Sequence, residues 1–104
     1  MKFLVVTRMN DSFLMVPPEM QMQLLEGTVA FIEKHRKAGN CKDIHNMPGM
    51  KGSASIWEVQ SAEEGNQFFL ESPLYPFSSV EMHVLSDFDA HIEAQKEALQ
   101  QRLG

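Results

Sequence analysis

The chain carries one cysteine, Cys41. A single thiol excludes an internal disulfide and a cysteine-based zinc cluster, and it fits a reducing cytoplasm. Long apolar runs are missing too. None exceeds the length of the run Phe3 to Val6, which is far short of the roughly 20 residues that span a bilayer. The start of the chain shows no charged, apolar and cleavable segments of a secretory signal, so a cytoplasmic location and no membrane partner are expected. Positive charge is scarce: nine Lys and Arg stand against fourteen Asp and Glu, for a net charge of −5. Such a surface repels phosphate backbones and argues against a nucleic-acid partner. The only dense basic group is Lys34, His35, Arg36 and Lys37. It closes an expected helix, where cations complement the dipole. His35 and His91 fall on different helices without ligand spacing, so no metal site is expected. Internal repeats, low-complexity segments and a glycine-rich phosphate loop are also lacking.

What is present fits one small globular domain. The 104 residues suffice for a modest core, which sheet domains of this size often complete by oligomerising. Methionine is abundant, with eight residues. Met9, Met15, Met20 and Met22 gather near the first turn, where flexible thioethers fill core gaps or line an irregular apolar cavity.

Period-two alternation predicts a strand over 2–8, with Phe3, Val5 and Thr7 on one side and Leu4, Val6 and Arg8 on the other. Asn10, Asp11 and Ser12 open a loop. Pro17-Pro18 then starts a helix that runs to about Ala38, with Leu24, Leu25, Thr28, Val29 and Ile32 as its apolar stripe and Gly39 after its end. A short polar strand is expected over 41–46, then a turn around Pro48 and Gly49. The strand over 53–60 sets Ser55, Trp57 and Val59 against Ala54, Ile56 and Glu58. Ser61-Ala-Glu-Glu64 is a capping box, and Phe68, Phe69 and Leu70 give its helix a buried side. Ser72-Pro73 stops it. The last strand, 77–85, alternates Val80, Met82 and Val84 with Ser79, Glu81 and His83, and Asp87 caps a polar helix from Phe88 to about Leu103.

The order β-α-β-β-α-β is the split β-α-β motif, so the fold class is α+β, a ferredoxin-like sandwich with an appended helix. Residues 1–86 form the expected domain and 87–104 an oligomerisation arm. Two helices cover one face of the sheet. Apolar residues occur on both faces, as in Leu4 beside Val5 and Ile56 beside Trp57, and a sheet apolar on both sides needs cover on both. A second copy is the simplest cover. A homodimer or higher symmetric oligomer of the dimeric α/β-barrel type is expected, with a cavity for a small molecule.

Three blocks carry a resemblance: Gly-Ser-Ala-Ser-Ile-Trp-Glu-Val (52–59), Ser-Ala-Glu-Glu (61–64), and Pro-Leu-Tyr-Pro-Phe (73–77) followed by Val80-Glu81. In these blocks and their spacing, residues 1 to 86 resemble the muconolactone isomerase family. The resemblance implies a small ferredoxin-like chain in a symmetric oligomer that moves a double bond in an unsaturated lactone during aromatic-compound breakdown. It implies no cofactor. In the second strand only Lys42 keeps a basic position of the family.

Such a shift is a proton transfer: a base takes a proton beside a conjugated carbonyl, an acid returns one elsewhere, and donors hold the enolate-like intermediate. Glu81, His83 and Glu58 are the catalytic candidates, Glu81 because the resemblance aligns it and His83 because it lies two residues on, on the same strand face. Lys42 and Arg8 are candidate anchors for a substrate carboxylate. Tyr75 is a candidate donor to the enolate oxygen, Trp57 a candidate pocket wall, and His45 a further base or ligand contact. Each has a plainer alternative as solvated charge or turn packing. Cys41 lacks a patterned His partner and is not expected to act as a nucleophile. Two other functions fit the scaffold: a small-ligand enzyme or monooxygenase-like protein, marked by a Trp57- and Met-lined pocket with a histidine but no carboxylate, and a non-enzymatic binding module, marked by the lack of a cavity.

Overall fold

The computed structural model describes residues 1–104. The elements are β1 (Lys2–Met9), α1 (Pro18–Lys37), β2 (Cys41–Met47), β3 (Gly52–Glu58), α2 (Ala62–Leu70), β4 (Ser78–Leu85) and α3 (Phe88–Leu103). Short 3-10 turns occupy Asp11–Met15, Pro48–Met50 and Tyr75–Phe77. The sheet order is β2-β3-β1-β4, and every neighbouring pair is antiparallel. This is the ferredoxin-like arrangement the element order predicts.

Local chemistry sets the boundaries. Pro18 takes the first position of α1, where its missing N–H costs nothing. At the other end Gly39 adopts φ 81°. The Gly39 N–H donates to the Arg36 carbonyl and the Asn40 N–H to the His35 carbonyl at 2.9 Å, the paired bonds of a Schellman stop. The Ser61 hydroxyl accepts the Glu64 N–H at 3.1 Å. Glu64 reaches one residue beyond the expected position and accepts the Gln60 N–H at 3.2 Å. Asp87 accepts the Ala90 N–H at 2.8 Å and caps α3.

The core lies between the sheet and α1–α2. Phe3, Val5, Phe31, Cys41, Trp57, Val59 and Phe69 form it. The rings of Phe31, Trp57 and Phe69 sit 4.9 to 6.3 Å apart, and each such pair stabilises the fold by about 0.5–1.5 kcal/mol beyond its area burial. The α1 stripe differs from expectation. Val29 and Leu25 are exposed, while Phe31 and His35 are buried. One turn separates Phe31 from His35, and that face meets the sheet. His35 is therefore a core residue and not part of a surface basic cluster. Of the clustered methionines, Met15, Met20 and Met22 are exposed.

The other face of the sheet has no cover. It presents Leu4, Val6, Ala54 and Ile56, all half-buried, among Arg8, Glu58, Glu81 and His83, all exposed. α3 buries none of its residues. The long axis reaches 66 Å and the radius of gyration is 17.8 Å, against about 13 Å for a compact chain of this length.

Candidate functional site

Strand alternation decides what can meet between the layers. Register aligns Asn46 with Ser53 and Ser53 with Thr7 in one row across the sheet, and Ile44, Ser55 and Val5 in the next. Trp57 follows two residues beyond Ser55. α1 lowers Thr28, Phe31 and Ile32 toward this floor, and α2 brings Phe69. The segment after α2 adds Ser72, Leu74, Tyr75 and Ser78. Together they enclose a half-open cavity of about 460 Å³, within the roughly 300–1,000 Å³ of small-molecule sites. A second hollow of about 590 Å³ toward β4 shares Phe69, Tyr75, Ser78 and Val80 with it.

Polar residues such as Thr7, Asn46, Lys51 and Ser53 share the lining with apolar ones. Trp57, Phe31, Phe69 and Ile32 form the apolar part. The Trp57 indole N–H donates to Ser55 Oγ at 2.8 Å, so this buried donor is satisfied and its ring is fixed. Thr7 and Ser53 hydroxyls pair at 2.7 Å. Thr28 and Ser78 donate to the Leu24 and Leu74 carbonyls, each at 2.8 Å. Lys51 is the one lining residue with a cationic side chain, and no carboxylate or imidazole lines the cavity. Met9 is the one member of the methionine cluster that reaches it.

The open face carries its own charged groups. Arg8 bonds Glu81 Oε1 at 3.4 Å, and His83 Nε2 meets Glu81 Oε2 at 3.3 Å. His45 Nε2 bonds Asp43 Oδ2 at 2.9 Å, and this bond holds the Asp43 carboxyl below its ordinary range. Glu58 pairs with the chain's amino terminus at 3.5 Å. Burial pushes the Cys41 thiol up, which keeps it protonated and unreactive. No group of three or more His, Cys, Asp or Glu side chains lies close enough to hold a metal ion.

Trp57 and Tyr75, both singled out from sequence, thus come together in the cavity. Glu81, His83, Glu58, Arg8 and His45 stand across the sheet from it. Lys42 fills the bulge between Cys41 and Asp43, exposed at the edge strand. Sequence reasoning did not single out Lys51, Asn46, Ser53, Ser55 or Thr7 as site residues. Period two was the available signal, because Ser55 and Ser53 share the side of Trp57.

A model of the family described as muconolactone delta-isomerase matches residues 1–91. The chain belongs to the muconolactone delta-isomerase family. The matched stretch ends in the first turn of α3. Among solved structures, muconolactone isomerase itself superposes with a TM-score of 0.72 at 20% identity, over 84% of this chain and 90% of that one. A 5-chloro-2-hydroxyhydroquinone dehydrochlorinase from Burkholderia phenoliruptrix, in complex with 2,5-dihydroxybenzoquinone, superposes with a TM-score of 0.64 at 15% identity, over 86% of this chain and 98% of that one. At these identities both show the fold, which they share with this member of the muconolactone delta-isomerase family. No curated protein sequence matches the chain. No helix is long and apolar enough to cross a membrane.

Proposed function

We propose that the chain is a small-molecule isomerase that shifts a double bond in an unsaturated lactone or a related cyclic acid, using side chains alone. The observation that supports this most is a ligand-sized cavity, built by residues inside the stretch that matches the muconolactone delta-isomerase family. Trp57 and Phe31 give a flat ligand an apolar wall. The Tyr75 hydroxyl donates to the carbonyl oxygen as it gains enolate character, and favours the transition state over the ground state. A base takes the proton from the carbon beside the conjugated carbonyl and the protonated base returns it at the far end of the conjugated system, so no atom is gained or lost; Tyr75 and Lys51 are the ionisable side chains that line the cavity.

Two placements of this chemistry compete. In the first, the reaction runs in the cavity around Tyr75. In the second, Glu81 and His83 act as base and acid on the open face, with Glu58, Arg8, His45 and the edge residue Lys42 near the substrate. We favour the cavity because its Trp57, Phe31 and Phe69 walls lower the local dielectric relative to the exposed groups of the open face, which strengthens polar contacts within it. An ultraviolet assay with muconolactone separates the two. Tyr75→Phe is expected to lower kcat by about 10²-fold and Glu81→Gln to leave it near the wild-type value. The reverse pattern moves the chemistry to the open face, and a folded wild type without turnover removes muconolactone as substrate.

One observation favours a second reading. The cavity has Trp57, Met9 and no carboxylate, as a small-ligand enzyme of another class, monooxygenase-like chemistry included, would have, but it lacks the histidine that reading also calls for. A non-enzymatic module fits less well. The cavity lies on the helical side, and covering the open face does not fill it. Assembly through that face, with α3 as an arm, completes the proposal.

A further inference from the structure

α1 carries a second apolar stripe, turned away from the core. Met22, Leu25 and Val29 are 58%, 43% and 63% exposed. They stand three and four residues apart, so they share one helix face. Phe31 and His35 mark a different face, the buried one. Acids border the exposed stripe. Glu19, Glu26 and Glu33 recur at intervals of seven, and Glu19 and Glu26 join none of the chain's ion pairs. Cations follow only in the last turn, as Lys34, Arg36 and Lys37.

α3 repeats this plan. Its stripe is Phe88, Ile92, Leu99 and Leu103, with Phe88 71% and Leu103 87% exposed. Asp87, Asp89 and Glu93 stand at its start, Lys96 and Arg102 toward its end. Glu97 falls across the helix from Leu99. The match to the family ends at residue 91, so Ile92, Leu99 and Leu103 lie beyond it. We infer that α3 of one chain docks antiparallel on the exposed α1 stripe of a second copy. Spacing supports the fit. Met22 to Val29 and Ile92 to Leu99 are both steps of seven, so Met22 meets Leu99 whenever Val29 meets Ile92. Charge supports the same register. It sets Glu19 level with Arg102, Glu26 beside Lys96, and the basic end of α1 near Asp87 and Asp89. A parallel arrangement would set acids against acids. The α1 of the same chain is out of reach. Only Ser86 and Asp87 separate β4 from α3, a span of about 7 Å. β4 lies at the opposite edge of the sheet from β2, which α1 overlies, about 14 Å away. The inference goes beyond the isomerase reading and gives the assembly arm its seat.

Disulfide trapping tests the register. Cys41 is the only native cysteine and is buried, so thiols placed on the exposed stripes react first. Chains with Met22→Cys and chains with Leu99→Cys are mixed in equal amounts, oxidised with copper phenanthroline and sized without reductant. Only a contact between copies can join them. This pair, and Val29→Cys with Ile92→Cys, should cross-link about tenfold faster than Met22→Cys with Ile92→Cys, which the register offsets by about 10 Å, outside disulfide reach. Arg102→Glu in the Leu99→Cys chain should slow trapping about threefold, the size of one exposed ion pair. Glu19→Lys in the Met22→Cys chain should restore it. No cross-linking, or equal rates in matched and offset pairs, would overturn the docking. Leu99→Cys chains that join one another as fast as they join Met22→Cys chains would overturn it too, by pairing α3 with α3. A rate indifferent to Arg102→Glu would overturn the antiparallel register. Turnover is not read, so the outcome stands apart from the isomerase reading.

Discussion

His35 shows how position outranks residue type. The Asn40 side-chain amide donates to His35 Nδ1 at 3.0 Å, which places the ring proton on Nε2. That nitrogen has no hydrogen-bond partner. It sits among aromatic rings instead, with centroids at 4.5 Å for Phe68, 4.7 Å for Phe31 and 5.3 Å for Trp57. Burial lowers its pKa first and the Lys34 charge adds to this, while Glu71 works against both. The sign follows directly. Below the ordinary value of 6.5 the unfolded chain binds a proton that the folded chain refuses, so stability falls as pH drops through that value. The midpoint of thermal unfolding followed by circular dichroism is expected to decline from pH 7.5 to 5. His35→Phe should flatten that decline, and an unchanged slope would assign it to other groups. Composition hid this residue, because a histidine amid Lys34, Arg36 and Lys37 reads as surface charge. Only its spacing of four from Phe31 marked it as buried.

At the level of elements, punctuation was more informative than hydrophobicity. Pro18, Gly39, Ser61 and Asp87 each stand where sequence chemistry put them, and the strands keep their expected alternation. Caps and period two are local rules, which a single sequence carries in full. The buried side of α1 is not local. Leu25 and Val29 are as apolar as a core stripe requires, yet the helix turns Phe31 and His35 inward because β3 offers Trp57 there. The cavity was half legible for the same reason. Trp57 and Tyr75 stand out by type, whereas Ser53, Thr7 and Asn46 become a site only once the ladder aligns them. The α2 cap gives a direct check on the local rules. Ser61→Ala removes the acceptor for the Glu64 N–H and is expected to cost about 1 kcal/mol in urea unfolding. Because α2 carries Phe69 over the cavity, the same variant should also loosen ligand binding. A cost near zero would show that Glu64 and its bond to Gln60 hold the turn unaided.

The whole molecule is the scale at which the chain looks unfinished. Only 11 of its 104 residues are buried, although 43% are hydrophobic. Two apolar surfaces account for much of the difference. One is the open face, where Leu4 lies between Ile56 and His83 across the ladder. The other is α3, where Phe88, Ile92, Leu99 and Leu103 recur at intervals of four or seven and fall along one stripe. Neither can cover the other within one chain, since α3 buries nothing. A second copy can, through a two-fold contact in which the same sheet face meets itself. The Arg8–Glu81–His83 cluster would then be enclosed, and its mutual bonds would satisfy charges that burial otherwise penalises. Mass measurement in solution is the check. Wild type is expected as an even-numbered oligomer. Leu4→Asp, which sets a carboxylate at the centre of the contact, should shift it to monomer and lower its unfolding temperature. A chain ending at Ser86 should keep the dimer and lose higher assembly, because α3 then supplies only the contacts between dimers. A monomeric wild type would sink both surfaces together. A dimer indifferent to Leu4→Asp would transfer the contact to α3.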